Sequence, residues 1–237
     1  MTERVCKRES LKEGLIASIP IVLGYFPIAI AFGLLSKNTS LSLRDTSLLS
    51  SIVYAGAGQF MALDLISAGV NSSSIIMAIF LLNIRYLVMS ASLSVKLENI
   101  PKKFLPVLGF GISDETFSVV SFSKSKINLA YLSMVFLLPY LSWNIGTIVG
   151  YFVGEILPQS LQASLSVGLY AMFAALLFPE AKKNKRIFLV FIISAAIYAL
   201  IYYLNIFPAG WDIILAIIVA SALGTTVLNH KEEENVN

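Results

Sequence analysis

Residues 14–35 read GLIASIPIVLGYFPIAIAFGLL, twenty-two positions from Gly14 to Leu35 without one charged side chain. A helix of about 20 apolar residues crosses 30 Å of hydrocarbon, so this stretch decides the fold class. Working outward, the same pattern returns at 47–68, 73–95, 104–122, 129–152, 161–179, 187–204 and 211–228. Lipid offers backbone groups no water, and the segments lack the ten-residue alternation of barrel strands. An all-α polytopic membrane helix bundle of seven to eight apolar segments is therefore expected. The chain is 57% hydrophobic and 13% charged, against about 25% charged in a soluble domain. The expected organisation is a basic cytoplasmic segment at 1–13, one transmembrane domain at 14–228 and a polar tail at 229–237.

Charge orients the segments. Of the 17 Lys and Arg, all but Arg85 lie in six flanks: Arg4 to Lys12, Lys37 and Arg44, Lys96 to Lys103, Lys124 and Lys126, Lys182 to Arg186, and Lys231. Positive flanks mark the cytoplasmic side. If every segment crosses once with the N-terminus inside, the inside holds most of these positives, but Lys37, Arg44 and Lys96 to Lys103 fall outside. If segments 1 and 4 instead enter from the cytoplasm and return to it, every flanking positive is cytoplasmic. Both segments carry breakers that suit bending: Pro20, Gly24, Pro27 and Gly33 in the first; Pro106, Gly109, Gly111 and Ser113-Asp114-Glu115 in the fourth. The two topologies place Ser40 on opposite sides. A short echo, Pro20-Ile21-Val22-Leu23-Gly24 against Pro106-Val107-Leu108-Gly109, suggests an internal repeat of segments 1–3 and 4–6, inverted as in many secondary transporters.

A few polar groups lie inside the apolar segments, where an ionisable side chain is rare and faces a polar cavity or a partner. Tyr54-Ala55-Gly56-Ala57-Gly58-Gln59-Phe60 puts four small residues before a glutamine. Small residues let another backbone or a ligand approach, and Gly56, Gly58 and Gln59 are candidates to bind a zwitterion. Asp64 is either a segment-end charge or a cavity acid. Asn83 and Arg85 sit centrally in segment 3. Arginine stays charged, so Arg85 needs Asp64, Asp114, Glu115 or an anionic substrate. Asp114 and Glu115, adjacent on a helix, diverge by about 100° and serve different partners. One pairs with Arg85, and the other is placed to exchange protons. Asn144 is a further candidate for the same cavity. Tyr25, Tyr140, Tyr151, Tyr202, Tyr203 and Trp211 read as interfacial belt or packing. Glu155, Glu180 and Asp212 read as charges at helix ends.

Several classes are excluded or disfavoured. The positives flank apolar segments, which is not a nucleic-acid footprint. No phosphate-binding glycine loop is present, so the chain does not hydrolyse ATP. Cys6 is the only cysteine and His230 the only histidine, which leaves no cysteine–histidine metal site, no disulfide and no serine–histidine pair. No cofactor is implied, and an enzyme is not expected. The residues themselves point to transport, with a channel or a non-transporting structural subunit as alternatives.

The motifs together resemble the AzlC family, the large subunit of branched-chain amino acid exporters. The resemblance rests on Pro20, Gly24 and Pro27 followed by Ala31-Phe32-Gly33, on Tyr54 to Phe60, on Asn83-Ile84-Arg85-Tyr86 and on Asp114-Glu115-Thr116-Phe117. Tyr86 stands where the family's motif often has histidine, and no acid precedes Ala171-Met172-Phe173. The resemblance implies efflux of leucine, isoleucine or valine, with methionine a further candidate, driven by the proton gradient across the cell (inner, cytoplasmic) membrane. It also implies a small hydrophobic membrane partner of the AzlD type. In that frame Gly56, Gly58, Gln59, Asn83 and Arg85 bind substrate, and Asp114, Glu115 and Asp64 couple the proton.

Overall fold

The structure is a computed structural model that describes residues 2–98, 100–123, 125, 127–153, 156 and 185–204, together with isolated positions at 167, 174, 178, 181–182, 215, 218–219 and 222–223. Its helices are α1 (Thr2–Asn38), α2 (Leu43–Leu48), α3 (Gly56–Ser67), α4 (Ser72–Ser94), α5 (Leu105–Phe110), α6 (Asp114–Phe122), α7 (Leu129–Val153) and α8 (Lys185–Leu204). The described residues contain no strand, and three stretches are long and apolar enough to cross a bilayer: Arg8–Asn38, Ser72–Leu97 and Leu129–Val153. The protein is an all-α membrane helix bundle. Segments 161–179 and 211–228 fall almost wholly outside the described residues, as do Glu155, Glu180 and Asp212. Segment 187–204 is α8.

The chain divides into two compact units. The first holds Met1–Leu63 and Asn83–Gly168, and its axis is the pair α1 and α7. Contacts along the pair advance together. The Asn128 amide donates to Ser10 Oγ at 2.6 Å, Ser142 Oγ donates to the Val22 carbonyl at 3.0 Å, and the Tyr151 hydroxyl donates to the Leu41 carbonyl at 3.0 Å. The two helices therefore run parallel. They lie close because glycines face backbone across the seam. A Cβ on Gly33 would collide with the Thr147 carbonyl, and one on Gly150 with the Ile30 carbonyl. In lipid such close packing replaces the hydrophobic drive between helices. The opposite side of α7 exposes Leu137, Leu141, Ile145, Ile148 and Phe152 in one stripe, a face suited to acyl chains.

Two broken segments fill the space beside this axis. The first comprises α2, a π-helical turn at Leu49–Val53, a break at Tyr54-Ala55, and α3. It starts near the end of α1 and descends. Ser50 Oγ lies 2.8 Å from Thr147 Oγ1, and the Tyr54 ring meets the Tyr140 ring at 5.0 Å. It then climbs back: Gly56 faces Trp143, and the Gln59 amide donates to Ser50 Oγ at 3.3 Å. In a straight helix residues nine apart are about 13.5 Å apart along the axis, so this hydrogen bond requires a hairpin. The second hairpin is α5, a turn at Gly111-Ile112-Ser113, and α6. Its six- and nine-residue limbs span about 9 and 14 Å, too little to cross hydrocarbon alone. Phe104 lines one cavity wall with Leu129, the Phe110 ring meets Tyr140 at 5.9 Å, and Lys96 donates to the Ser121 carbonyl beside the start of α7. Both ends of this hairpin therefore sit at the α1-start face. Its core is Leu108, Ile112 and Val120, packed on Leu93, Leu132, Val135 and Phe136.

These observations revise the expected topology. Segment 4 is broken and re-entrant, as the second arrangement foresaw. Segment 1 is not: α1 is a continuous helix of 37 residues with Pro20 and Pro27 inside it, about 55 Å long. The other re-entrant element is segment 2. The echo between segments 1 and 4 therefore joins a long crossing helix to a short hairpin limb, which differ in form. Among the described residues Arg8, Lys12, Lys96, Lys102 and Lys103 lie at the face where α1 starts, while Lys37 and Arg44 lie at the other. Positive flanks mark the cytoplasmic side, so this bias favours the α1-start face for it. The second unit holds Asp64–Leu82 and Leu169–Asn237, and α8 is its longest described helix.

Candidate functional site

The two hairpin tips meet halfway along α1 and α7. At the first tip, Tyr54 adopts left-handed backbone angles, φ 44° and ψ 42°, which strain a residue bearing a Cβ by about 1–3 kcal/mol. Aromatic packing holds it there, with Tyr140 at 5.0 Å and Phe110 from the other tip at 5.9 Å. The left-handed residue ends the π-helical turn and lets α3 start afresh at Gly56. The first amides of a helix have no intrahelical acceptor. Gly56 also makes room for the Trp143 indole, since a Cβ there would lie 2.9 Å from Trp143 Cη2.

At the second tip the sequence Ser113-Asp114-Glu115-Thr116 caps α6. Thr116 N–H donates to Ser113 Oγ at 3.2 Å, and Ser113 N–H donates to Thr116 Oγ1 at 2.7 Å. This reciprocal box fixes the start of the helix. It leaves Asp114 and Glu115 in the first turn, where the helix dipole favours negative charge. The two acids diverge as expected. Arg85 Nη2 lies 3.0 Å from Asp114 Oδ2. The Tyr25 hydroxyl, from the middle of α1, lies 2.5 Å from Glu115 Oε2 and 2.8 Å from Ser113 Oγ. Its single proton serves one of them at a time. Glu115 is also within electrostatic range of Tyr54 and Tyr86. Both tips thus share one neighbourhood.

The structure brings Gly56, Gly58, Gln59, Asn83, Arg85, Asp114 and Glu115 into the first unit. Gln59 is 1% exposed, and Asn83 is half-buried. Asp64 is exposed and belongs to the second unit. Asn144 donates to the Tyr140 carbonyl one turn back on its own helix. Tyr151, read as belt or packing, makes the bond to Leu41 described above, and two mid-segment residues read the same way also have polar roles: Tyr25 binds the Glu115 side chain, and Tyr140 donates to the Ser51 carbonyl at 3.0 Å. Their mid-segment positions were the available signal, because belt residues sit at segment ends. Trp143 was missed as a polar group. It is 3% exposed, stands edge-on to Tyr25 at 5.3 Å and stacks on Phe32 at 6.4 Å. An apolar cavity of about 410 Å³ runs along α5 and α7 from Phe104 to Phe110 and Tyr140.

Several buried polar atoms here have no hydrogen-bond partner among the described residues: Tyr54 Oη, Gln59 Oε1, Asn83 Oδ1, Arg85 Nε and Trp143 Nε1. Buried polar atoms are nearly always bonded, so these exceptions are candidates to receive a polar group.

Residues 20–157 match the family described as AzlC protein. An uncharacterized membrane protein of Archaeoglobus fulgidus is 33% identical over 74% of this chain and 78% of its own length. The inner membrane protein YgaZ of Escherichia coli is 27% identical over 74% of this chain and 75% of its own. The branched-chain amino acid transport protein AzlC of Bacillus subtilis is 24% identical over 71% of this chain and 67% of its own. No solved structure matches. With two of its signature stretches at the hairpin tips, the others on α1 and α4, and most of its length matched, this chain belongs to the AzlC family.

Proposed function

We propose that the protein is a secondary active transporter that exports the branched-chain amino acids leucine, isoleucine and valine, with methionine as a further candidate substrate, in exchange for protons. It works with a small AzlD-type membrane subunit in the cytoplasmic (inner) membrane and is not an enzyme. The observation that carries this reading is the meeting of two re-entrant tips at mid-depth, with an ion pair, a second carboxylate and unpartnered polar atoms between them. Broken elements at mid-membrane are where transporters place substrate and coupling ion. The Bacillus subtilis relative's name supplies the substrate class, and the Escherichia coli relative's name the membrane.

The roles follow from the geometry. Asp114 is engaged by Arg85, so Glu115, held by the Tyr25 hydroxyl, is the carboxylate free to exchange a proton. The first-turn amides of α3 at Gly56 and Gly58, with Gln59 and Asn83, line the polar end of the substrate site, and Arg85 holds Asp114. An aliphatic side chain would lie against Phe110 and Tyr140 at the inner end of the apolar cavity. Apolar walls separate substrates differing by one methylene by only about 1–3 kcal/mol, so leucine, isoleucine and valine compete.

The test is counterflow of labelled leucine in liposomes, with and without a co-purified small subunit. Leucine accumulates against its gradient in response to a pH gradient, and Arg85→Ala and Glu115→Gln lose this. Normal coupled transport in both variants removes the proposed site. Purely downhill flux that ignores the pH gradient identifies a channel, and no flux in any arrangement identifies a structural subunit.

A further inference from the structure

We infer that the charged headgroup of the amino acid is received at the first hairpin tip by Tyr54, Trp143 and Gln59, with Arg85 kept as the partner of Asp114. The inference rests on the transport reading above and assigns the binding atoms within it. Three atoms carry it. The Tyr54 hydroxyl and Trp143 Nε1–H are donors, and Gln59 Oε1 is an acceptor. Their residues are 5%, 3% and 1% exposed, and none of the three atoms has a partner among the described residues. Their residues gather at the first tip. Tyr54 lies two residues before α3, the six-membered-ring edge of Trp143 lies on Gly56 at its first position, and Gln59 is three residues further along. Tyr54 is in ring contact with Tyr140, three residues before Trp143 on α7. Two donors and the unbonded amides of a helix start suit a carboxylate. One amide oxygen suits an ammonium. That complement matches an α-amino acid headgroup.

Arg85 is suited to a different task. Its charge is already neutralised by Asp114 at 3.0 Å, so the pair presents little net attraction to an anion. Breaking it to bind substrate would strand Asp114. The aromatic rings sort the remainder of the ligand. Phe32 and Phe60, 5.6 Å apart, close one side of the tip, and Phe110 with Tyr140 stands on the other. The strained backbone of Tyr54 fits this assignment, because it presents the hydroxyl of a residue that ordinary helix geometry would point elsewhere.

The test uses the full chain purified with whatever subunit accompanies it, in lipid nanodiscs. The sequence has two tryptophans, Trp143 and Trp211, so Trp211→Phe leaves Trp143 as sole reporter. Leucine should shift its emission saturably. Equilibrium binding of labelled leucine should weaken roughly tenfold in Tyr54→Phe and in Trp143→Phe, the loss expected for one hydrogen bond to a charged group. Leucinamide, which lacks the carboxylate charge, should lose about threefold or less, because charge-assisted bonds are about twice as strong as neutral ones. A purely structural role would weaken both ligands alike. The ligand-free melting temperature of Tyr54→Phe should equal or exceed that of the parent, since the deleted hydroxyl has no partner to lose. Should Trp143→Phe fail to fold, Tyr54→Phe and the emission titration decide. The inference is overturned if leucine binds both variants as it binds the parent, or if the two ligands weaken equally. Absence of leucine binding by the unmodified protein overturns the transport reading together with it.

Discussion

The Arg85–Asp114 pair allows the sharpest test of how charge is managed inside this bundle. The two side chains are 31% and 23% exposed, with N and O 3.0 Å apart. Exposed pairs contribute about 0–1 kcal/mol, and breaking a fully buried pair costs about 3–5. An intermediate site gives a coupling of roughly 2 kcal/mol. Arg85→Ala leaves the Asp114 carboxylate uncompensated and should destabilise by about 3 kcal/mol, lowering the melting temperature by roughly 6–12 °C at the 2–4 °C per kcal/mol typical of a chain this size. The decisive step is the second substitution. Asp114→Asn lowers the melting temperature of the parent, but in the Arg85→Ala background it removes the stranded charge and raises it. Thermal unfolding in detergent, followed by fluorescence for the four proteins of the cycle, reads the coupling directly. If Asp114→Asn lowers the melting temperature equally in both backgrounds, the two residues do not act as a pair and the placement of Arg85 is wrong.

Other outcomes follow from the same geometry. Gly33→Ala forces a Cβ against the Thr147 carbonyl and should cost about 1–3 kcal/mol, seen as a lower melting temperature, whereas Gly24→Ala, with open space at its Cβ, should not destabilise. Tyr25→Phe removes a hydrogen bond to a carboxylate, about 1.5–3 kcal/mol. Its effect should fall to about half in a Glu115→Gln background, where a neutral amide oxygen replaces the carboxylate as acceptor, if the hydroxyl serves that side chain, which a second melting cycle checks. In a Cys6→Ser chain, a cysteine at Ser40 should react with an impermeant maleimide from outside and one at Lys102 only from the cytoplasm. The reverse pattern for either would refute the assignment of segment 2 as the external hairpin.

Much of this architecture was legible in the sequence. Lengths and charge gaps marked α4 and α7 as crossing helices and left α1 either crossing or re-entrant, because 30 Å of hydrocarbon sets a minimum run of apolar residues. The second hairpin was legible because Gly111 and Ser113-Asp114-Glu115-Thr116 spell a helix end and a new capped start. The first hairpin was not. Pro20 and Pro27 looked like the break, yet a membrane helix tolerates proline when neighbours satisfy the freed carbonyls. The real break falls at Tyr54, a bulky residue in left-handed conformation that only its aromatic surroundings stabilise. No local rule announces such a residue. The divergence of Asp114 and Glu115 was readable from helix geometry, but their partners were not equally so. Arg85 was a foreseeable counter-ion, while Tyr25 looked apolar enough to be packing. Trp143 escaped because an unbonded indole nitrogen is a property of surroundings that no sequence displays.

The parallel seam between α1 and α7 has a consequence for how the chain is made. The tip at Tyr54 rests on Tyr140 and Trp143, nearly ninety residues downstream. Ribosomes add about 5–20 residues each second, so the strained turn waits on the order of 5–20 seconds before its shelter emerges. During that interval Gln59 and the loosened start of α3 have α1 beside them but lack α7. Insertion must therefore keep this hairpin in an aqueous or chaperoned niche and admit it to the bilayer only after the seventh helix arrives. Truncation before residue 129 would then yield a product that is cleared rather than one that works in part.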